Sequence, residues 1–387
     1  MDAIELAAVL VALALVASMI SIELGVTVAL IELTLGVVAG NVFELESQDW
    51  LTFVAAFASI VLTFLAGMEV DPAYMRRRLN ASVGIGVVSF VGPFVVASLV
   101  AYVLLDWNGR ASLIAGTALS TTSLAVVYAV LVERGLTDTN IGKLLMSATF
   151  VTDLCTAVAL SAIFIKPNAW FPVFLTVSLV LILALPRIAP WFFGRYGDRV
   201  IEPEIKLVFA CLLVLMVLAE LANGHAVLPA FVLGLVMSRH YAEHREEQKR
   251  LRVVAFAFLT PFFFIKGGLN VSLPAVFSNL GLLAVLLAAK MVPKLGLVYP
   301  LARRADRRHG AFTTLLMSTG LTFGTISSLY GLNAGIIDAT QFSLLVTVVV
   351  LSAVVPTAIA ERWFLPDSER ERRIDRRLAY RESEEYV

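Results

Sequence analysis

The chain is a succession of long apolar stretches without charge, separated by short segments where charged residues gather. A helix of roughly 20 apolar residues crosses a bilayer core of about 30 Å. Stretches of that kind predict membrane helices at 4–21, 26–43, 51–69, 82–105, 111–132, 143–165, 170–186, 205–222, 226–238, 253–270, 274–299, 311–331 and 341–361. The ninth is short, and glycines interrupt the twelfth. Segment 187–204, with its Trp, Phe and Tyr residues, is expected at a membrane interface. The expected fold is an all-α polytopic membrane protein of about thirteen transmembrane helices, with a membrane domain at 1–365 and a short charged cytoplasmic tail at 366–387.

Charge distribution fixes the expected orientation, because cytoplasmic loops collect Lys and Arg. With residue 1 outside, the inside loops carry Arg76, Arg77, Arg78, Arg134, Arg187, Arg195, Arg199, Lys206, Arg239, Arg245, Lys249, Arg250, Arg252, Arg303, Arg304, Arg307 and Arg308. The outside loops hold only Arg110 and Lys166, and segment 44–49 is acidic through Glu44, Glu46 and Asp49. One missed span would scramble this alternation. The N-terminus is therefore expected outside and the C-terminus in the cytoplasm, in a multi-pass plasma-membrane protein.

Composition agrees. Of 387 residues, 59% are hydrophobic and 16% charged, and the mean hydropathy is +0.86; soluble domains are nearer 45–50% apolar. A net charge of zero gives nucleic acid no electrostatic footprint. Cys155 and Cys211 lie in apolar runs and read as small core residues. Asp2 and Glu5 precede the first span where a leader would be basic, so that span reads as a membrane helix.

Ionisable groups inside a bilayer cost about 2.5–3.5 kcal/mol on insertion scales, so each marks a candidate function. The spans contain Glu32, Asp153, Glu220, Lys266, Lys290 and Lys294. Asp153 is the most informative. Thr149 and Thr156, at i−4 and i+3, share its helix face, and Thr152 is adjacent. A carboxylate among hydroxyls offers hard oxygen ligands for a small monovalent cation. The same carboxylate takes a proton, so proton and cation compete for one site.

Two spans have weak backbones at mid-depth. The fifth contains Ser120-Thr121-Thr122-Ser123, whose hydroxyls compete for backbone hydrogen bonds. The twelfth contains Ser318-Thr319-Gly320-Leu321-Thr322-Phe323-Gly324. Interrupted helices in corresponding positions of two halves point to a transport site. An offset of seven spans reverses orientation, so spans 1–6 and 8–13 are expected to be inverted repeats with the seventh as linker. Lys290 and Lys294 lie one turn apart. For each, two readings stand: a reach to Asp153 or to a broken helix's carbonyls, or snorkelling to the interface. Lys266 sits mid-span, where snorkelling explains it poorly. Glu32 and Glu220 read as structural polar contacts.

Four motifs and one segment, in this order and spacing, make the chain resemble the monovalent cation:proton antiporters, the bacterial Na+/H+ and K+/H+ antiporters of the Na+/H+ exchanger superfamily. They are Leu62-Thr-Phe-Leu-Ala-Gly-Met-Glu-Val-Asp71, Thr117-Ala-Leu-Ser-Thr-Thr-Ser123, Phe150-Val-Thr-Asp-Leu154, Lys294-Leu-Gly296 and the segment Gly320 to Gly324. The resemblance spans about residues 20–360. It implies core helices at about 82–165 and 274–361, with the remainder serving dimerisation and linkage. It implies crossed broken helices, with Thr121, Thr122 and Ser123 on the first crossing and Gly320, Thr322 and Gly324 on the second. Asp153 falls on the family's aspartate, and the membrane lysine falls on Lys294 or Lys290. It also implies a homodimer in the lipid bilayer that exchanges Na+ or K+ for H+ by alternating access, without a cofactor. Thr152 departs from the family's Asp-Asp and Asn-Asp pairs, and one carboxylate per site implies electroneutral exchange, one cation for one proton.

Three other readings compete. A sodium-coupled symporter of a small organic solute would need a roomier cavity and more ligands. A cation channel would use the aspartate for selectivity alone. An intramembrane enzyme lacks support, since His225, His240, His244 and His309 lie in or near loops and no His-Glu-x-x-His motif is present.

Overall fold

The computed structural model describes residues 2–24, 28–68, 79–137, 139–164, 168–197, 199–224 and 226–371. Glu69, Asp71, Arg76, Arg77, Arg78, Lys166, His225 and the tail beyond 371 lie outside the described residues. The secondary structure among the described residues is helical.

The chain divides into two compact units, Met1–Pro72 with Ala157–Ala275, and Ala73–Thr156 with Val276–Val387. The first contains α1 (Ala3–Leu24), α2 (Val28–Val42) and α3 (Asp49–Met68). The second contains α4 (Leu79–Leu99), which runs into a π-helical turn at Val100–Leu104, then α5 (Gly109–Ser120) and α6 (Leu124–Glu133). Helix α7 (Asn140–Phe164) belongs to the second unit up to Thr156. The chain then returns to the first unit with α8 (Phe171–Tyr196), α9 (Pro203–Leu221), α10 (Val227–Glu243) and α11 (Arg245–Val254). A π turn at Ala255–Leu259 leads into α12 (Thr260–Leu269). After α13 (Leu273–Ser278), the second unit resumes with α14 (Leu280–Pro293), a π turn at Lys294–Val298 and α15 (Tyr299–Ala305). It ends with α16 (Gly310–Met317), α17 (Thr322–Asn333) and α18 (Ala339–Trp363).

Helices fall on all thirteen expected spans, broken within the fifth, eleventh and twelfth, and among the described residues eight continuous helices are long and apolar enough to cross a membrane. The seventh span runs further than expected. Residues 187–196 continue α8 despite Pro186 and Pro190, and the Arg187 side chain donates to the Leu183 carbonyl. Glu220 also differs: it is exposed, one residue from the end of α9. Large apolar side chains stay exposed along several helices, among them Leu15, Leu175, Leu179, Leu183, Val103 and Val292. Such surface suits lipid and would be a liability in water.

The first unit is held by glycine-mediated helix contacts. A Cβ on Gly36 would strike the Ile265 carbonyl, and one on Gly40 would lie 2.6 Å from the Leu269 carbonyl. These positions seat α2 on α12. Gly67 and Gly234 do the same for α3 and α10, meeting the carbonyls of Phe231 and Phe64. Small residues let membrane helices approach closely. The offset of seven spans exchanges these two pairs, because α2 and α3 correspond to α10 and α12. It also exchanges the two π turns that follow α4 and α14, and the two interruptions described below. An inverted repeat thus recurs in packing, although sequence similarity between the halves is not visible.

At the arginine-rich end of the second unit, His309 bridges two carboxylates. Its Nδ1 lies 2.8 Å from Asp306 Oδ2 and its Nε2 lies 3.6 Å from Glu371 Oε1. The Asp306 hydrogen bond raises the His309 pKa above its ordinary 6.5 against opposing burial. A raised histidine contributes stability that is complete below the unfolded value and is lost as pH rises through the folded one. Limited proteolysis should therefore find the segment around Glu371 protected near pH 6 and increasingly cut toward pH 8.5. His309→Gln should remove that pH dependence.

Candidate functional site

The second unit brings both interruptions together. Helix α5 stops at Ser120 and α6 starts at Leu124; Thr121 between them is extended, with φ −64° and ψ 154°. Helix α16 stops at Met317 and α17 starts at Thr322. The two short non-helical segments cross. The Ser123 backbone N–H donates to the Thr319 carbonyl at 3.2 Å, and Thr122 Oγ1 donates to the Met317 carbonyl at 2.8 Å. The local hydroxyls turn back onto the helix ends they interrupt. Ser120 Oγ donates to the Thr117 carbonyl, Thr121 Oγ1 to Ala118, Ser318 Oγ to Thr314 and Thr319 Oγ1 to Leu316. Irregular backbone at this depth persists because its polar groups are covered this way.

Lys294 sits on the crossing. Its Nζ donates to the Thr121 carbonyl (2.8 Å), Thr122 Oγ1 (2.9 Å) and the Met317 carbonyl (2.8 Å). An ammonium has three donors, and all three are used. The carbonyls belong to the C-terminal ends of α5 and α16, where the helix dipoles are negative, so the lysine also neutralises two partial charges. Lys290 behaves differently. Its Nζ is buried without a hydrogen-bond partner and lies against Gly320, where any Cβ would collide with it. Of the two lysines the sequence left open, Lys294 is the one bonded to the broken helices. Gly324 has a similar spatial role, since its Cβ would lie 2.7 Å from Val349 Cγ2 and 3.1 Å from the Ala118 carbonyl. Thr322 opens α17.

Asp153 is 1% exposed on α7, and its Oδ1 has no hydrogen-bond partner. Among the described residues no ion pair joins it to Lys294, whose three donors go to the crossing. The neighbouring hydroxyls donate elsewhere. Thr149 Oγ1 donates to Met317 Sδ at 3.6 Å, Thr152 Oγ1 to the carbonyls of Gly86 (3.2 Å) and Ala148 (3.1 Å), and Thr156 Oγ1 to Thr152 (3.0 Å). Gly86 makes the Thr152 contact possible: its Cβ would lie 2.6 Å from the Ala148 carbonyl, so α4 and α7 touch there. A hydroxyl whose proton is committed still has oxygen lone pairs for a cation. A buried carboxylate whose Oδ1 has no hydrogen-bond partner can take either a proton or a cation.

Lys266 and Glu32 are buried in the first unit, on α12 and α2, whereas Asp153 and the crossing belong to the second. Reading the sequence did not anticipate Gly86, Ser89 or Met317. Ser89 Oγ lies 3.4 Å from both Thr122 Oγ1 and the Met317 carbonyl. Met317 acts through a carbonyl that the interruption frees, which its side chain does not signal.

Crossed interrupted helices, a lysine saturated by their carbonyls and a buried unpartnered aspartate define a membrane protein of the ion-coupled transporter class. Residues 9–364 match the family described as sodium/hydrogen exchanger, transmembrane, and the chain belongs to that family. It is 26% identical over 336 residues to probable Na(+)/H(+) antiporter 3 of Methanocaldococcus jannaschii, covering 83% of this chain and 86% of that protein. It is 22% identical over 357 residues to the Na(+)/H(+)-K(+) antiporter GerN of Bacillus cereus, covering 87% and 89%. Its fold is similar to that of the sodium proton antiporter MjNhaP1 from M. jannaschii, with a TM-score of 0.68 and 13% identity over 92% of this chain and 95% of that one.

Proposed function

We propose that the protein exchanges a monovalent cation, Na+ or K+, for H+ across the membrane by alternating access. Asp153 binds cation and proton competitively, with Thr149, Thr152 and Thr156 supplying further oxygens. The observation that carries this reading is the unpartnered Oδ1 of a fully enclosed carboxylate beside a lysine whose donors are already used. Lys294 holds the crossing together and sets the local field, leaving Asp153 free to trade ligands. One titratable carboxylate at the site gives one cation for one proton. In this reading the second unit is the moving core and the first serves dimerisation. The N-terminus faces outward and the C-terminus faces the cytoplasm.

Competition makes a kinetic prediction. Cation affinity at a carboxylate depends on its deprotonation. The apparent KM for the cation should rise as pH falls, by up to about tenfold per pH unit, while maximal rate at saturating cation stays constant. A KM independent of pH between 6 and 9 would rule out a shared site. Thr152→Val should raise the apparent KM a few-fold and lower stability by about 1 kcal/mol, through the lost bond to Gly86. Transport assays with thermal unfolding of the same variant check both.

A further inference from the structure

An apolar groove of about 310 Å³ opens on the second unit, lined by Leu295, Tyr299, Thr314, Leu315, Ile359 and Phe364 among others. Three transmembrane segments build it: the π turn and α15, then α16, then α18. Each line of groove residues runs into an exposed arginine at the same end. Arg303 lies one turn beyond Tyr299, Arg362 lies three residues beyond Ile359, and Arg307 lies four residues before Ala311, also in the lining. The Arg303 backbone packs on Gly310 at the start of α16.

Three acids among the described residues at this end are already engaged. Glu361 pairs with Arg134 at 3.0 Å, and His309 takes both Asp306 and Glu371. Arg303, Arg307 and Arg362 have no acidic partner among the described residues. Tyr299 and Phe364 of the lining and the adjacent Trp363 are exposed, and aromatic residues of this kind favour the headgroup depth of a bilayer. An apolar slot beneath aromatics and free arginines matches one ligand chemistry: a hydrocarbon tail below a phosphate with a net negative charge.

We propose that this groove binds an anionic phospholipid, with one acyl chain in the slot and the phosphate on Arg303, Arg307 and Arg362. The position gives the lipid leverage on the site. Leu295 directly follows Lys294, and Thr314 lies one turn before the interruption at Ser318. A bound chain would brace the segment that carries Lys294 against α16.

The test uses full-length protein purified in neutral detergent and offered equal amounts of phosphatidylglycerol and phosphatidylcholine with the same acyl chains. Native mass spectrometry should show phosphatidylglycerol retained about fivefold or more over phosphatidylcholine. The double variant R303Q/R362Q should bring that ratio close to one. Equal retention of the two lipids by the wild type, or an unchanged preference in the double variant, would overturn the proposal. A local readout guards against a misfolded variant. A bimane label on Leu295→Cys should be quenched at least twofold more by phosphatidylglycerol brominated in its acyl chains than by phosphatidylcholine brominated alike. Equal quenching by both would also overturn it.

Discussion

Asp153→Asn should reduce cation-driven proton movement to the background of empty liposomes while leaving a folded, well-expressed protein. The amide keeps the shape of the carboxylate but neither titrates nor carries charge. Because Oδ1 has no hydrogen-bond partner, the substitution breaks no hydrogen bond at that atom. A buried charge whose Oδ1 has no hydrogen-bond partner is itself costly, so its neutral replacement should hold or raise thermal stability. Loss of transport with an unchanged or higher unfolding temperature therefore separates function from folding. Exchange retained within a few-fold of wild type would remove Asp153 from the site.

Lys294→Met should do the opposite to stability. The lysine donates to the carbonyls of Thr121 and Met317 and to the Thr122 hydroxyl. Removing it takes the charged donor from two half-helix ends that face each other inside the membrane, and the Met317 carbonyl keeps only the Thr122 and Ser89 hydroxyls. Breaking one side of a buried charged network typically costs about 3–5 kcal/mol. Thermal unfolding should drop by many degrees, and transport should fall at least tenfold. Lys294→Arg should recover only part of this, because a planar guanidinium does not suit three converging acceptors as an ammonium does. The contrast lies one turn away. Lys290 has no partner to lose, so Lys290→Met should be neutral or stabilising. If Lys290→Met proved the more damaging of the two, the assignment of Lys294 to the crossing would fail.

Much of this was legible in the sequence because membranes make polar residues conspicuous. Asp153 stood out in an apolar helix, and the runs at Ser120–Ser123 and Ser318–Gly324 announced backbone that cannot hold a regular helix. The structure places both interruptions there and crosses them. The choice between Lys290 and Lys294 was not legible. They lie one turn apart, and the π turn opening at Lys294 changes the helix register from that point on. Only contacts with Thr121 and Met317, distant in sequence, separate them. The end of the seventh span was not legible either: it was expected at 186, where prolines and aromatics gather, but α8 continues through residue 196. Glu220 looked intramembrane because the run around it is apolar, yet it sits at an exposed helix end.

The most direct test of cation:proton exchange is proton flux in liposomes containing the purified protein, with a preset pH gradient and Na+, K+ or Li+ added in turn. The experiment is run with the membrane potential free and then clamped. The account predicts that at least one of Na+ and K+ collapses the gradient, at a rate unaffected by the clamp, and that Asp153→Asn liposomes do not respond. No response to any ion between pH 5.5 and 9 would contradict cation:proton exchange itself, and a rate set by the clamp would contradict the one-for-one stoichiometry.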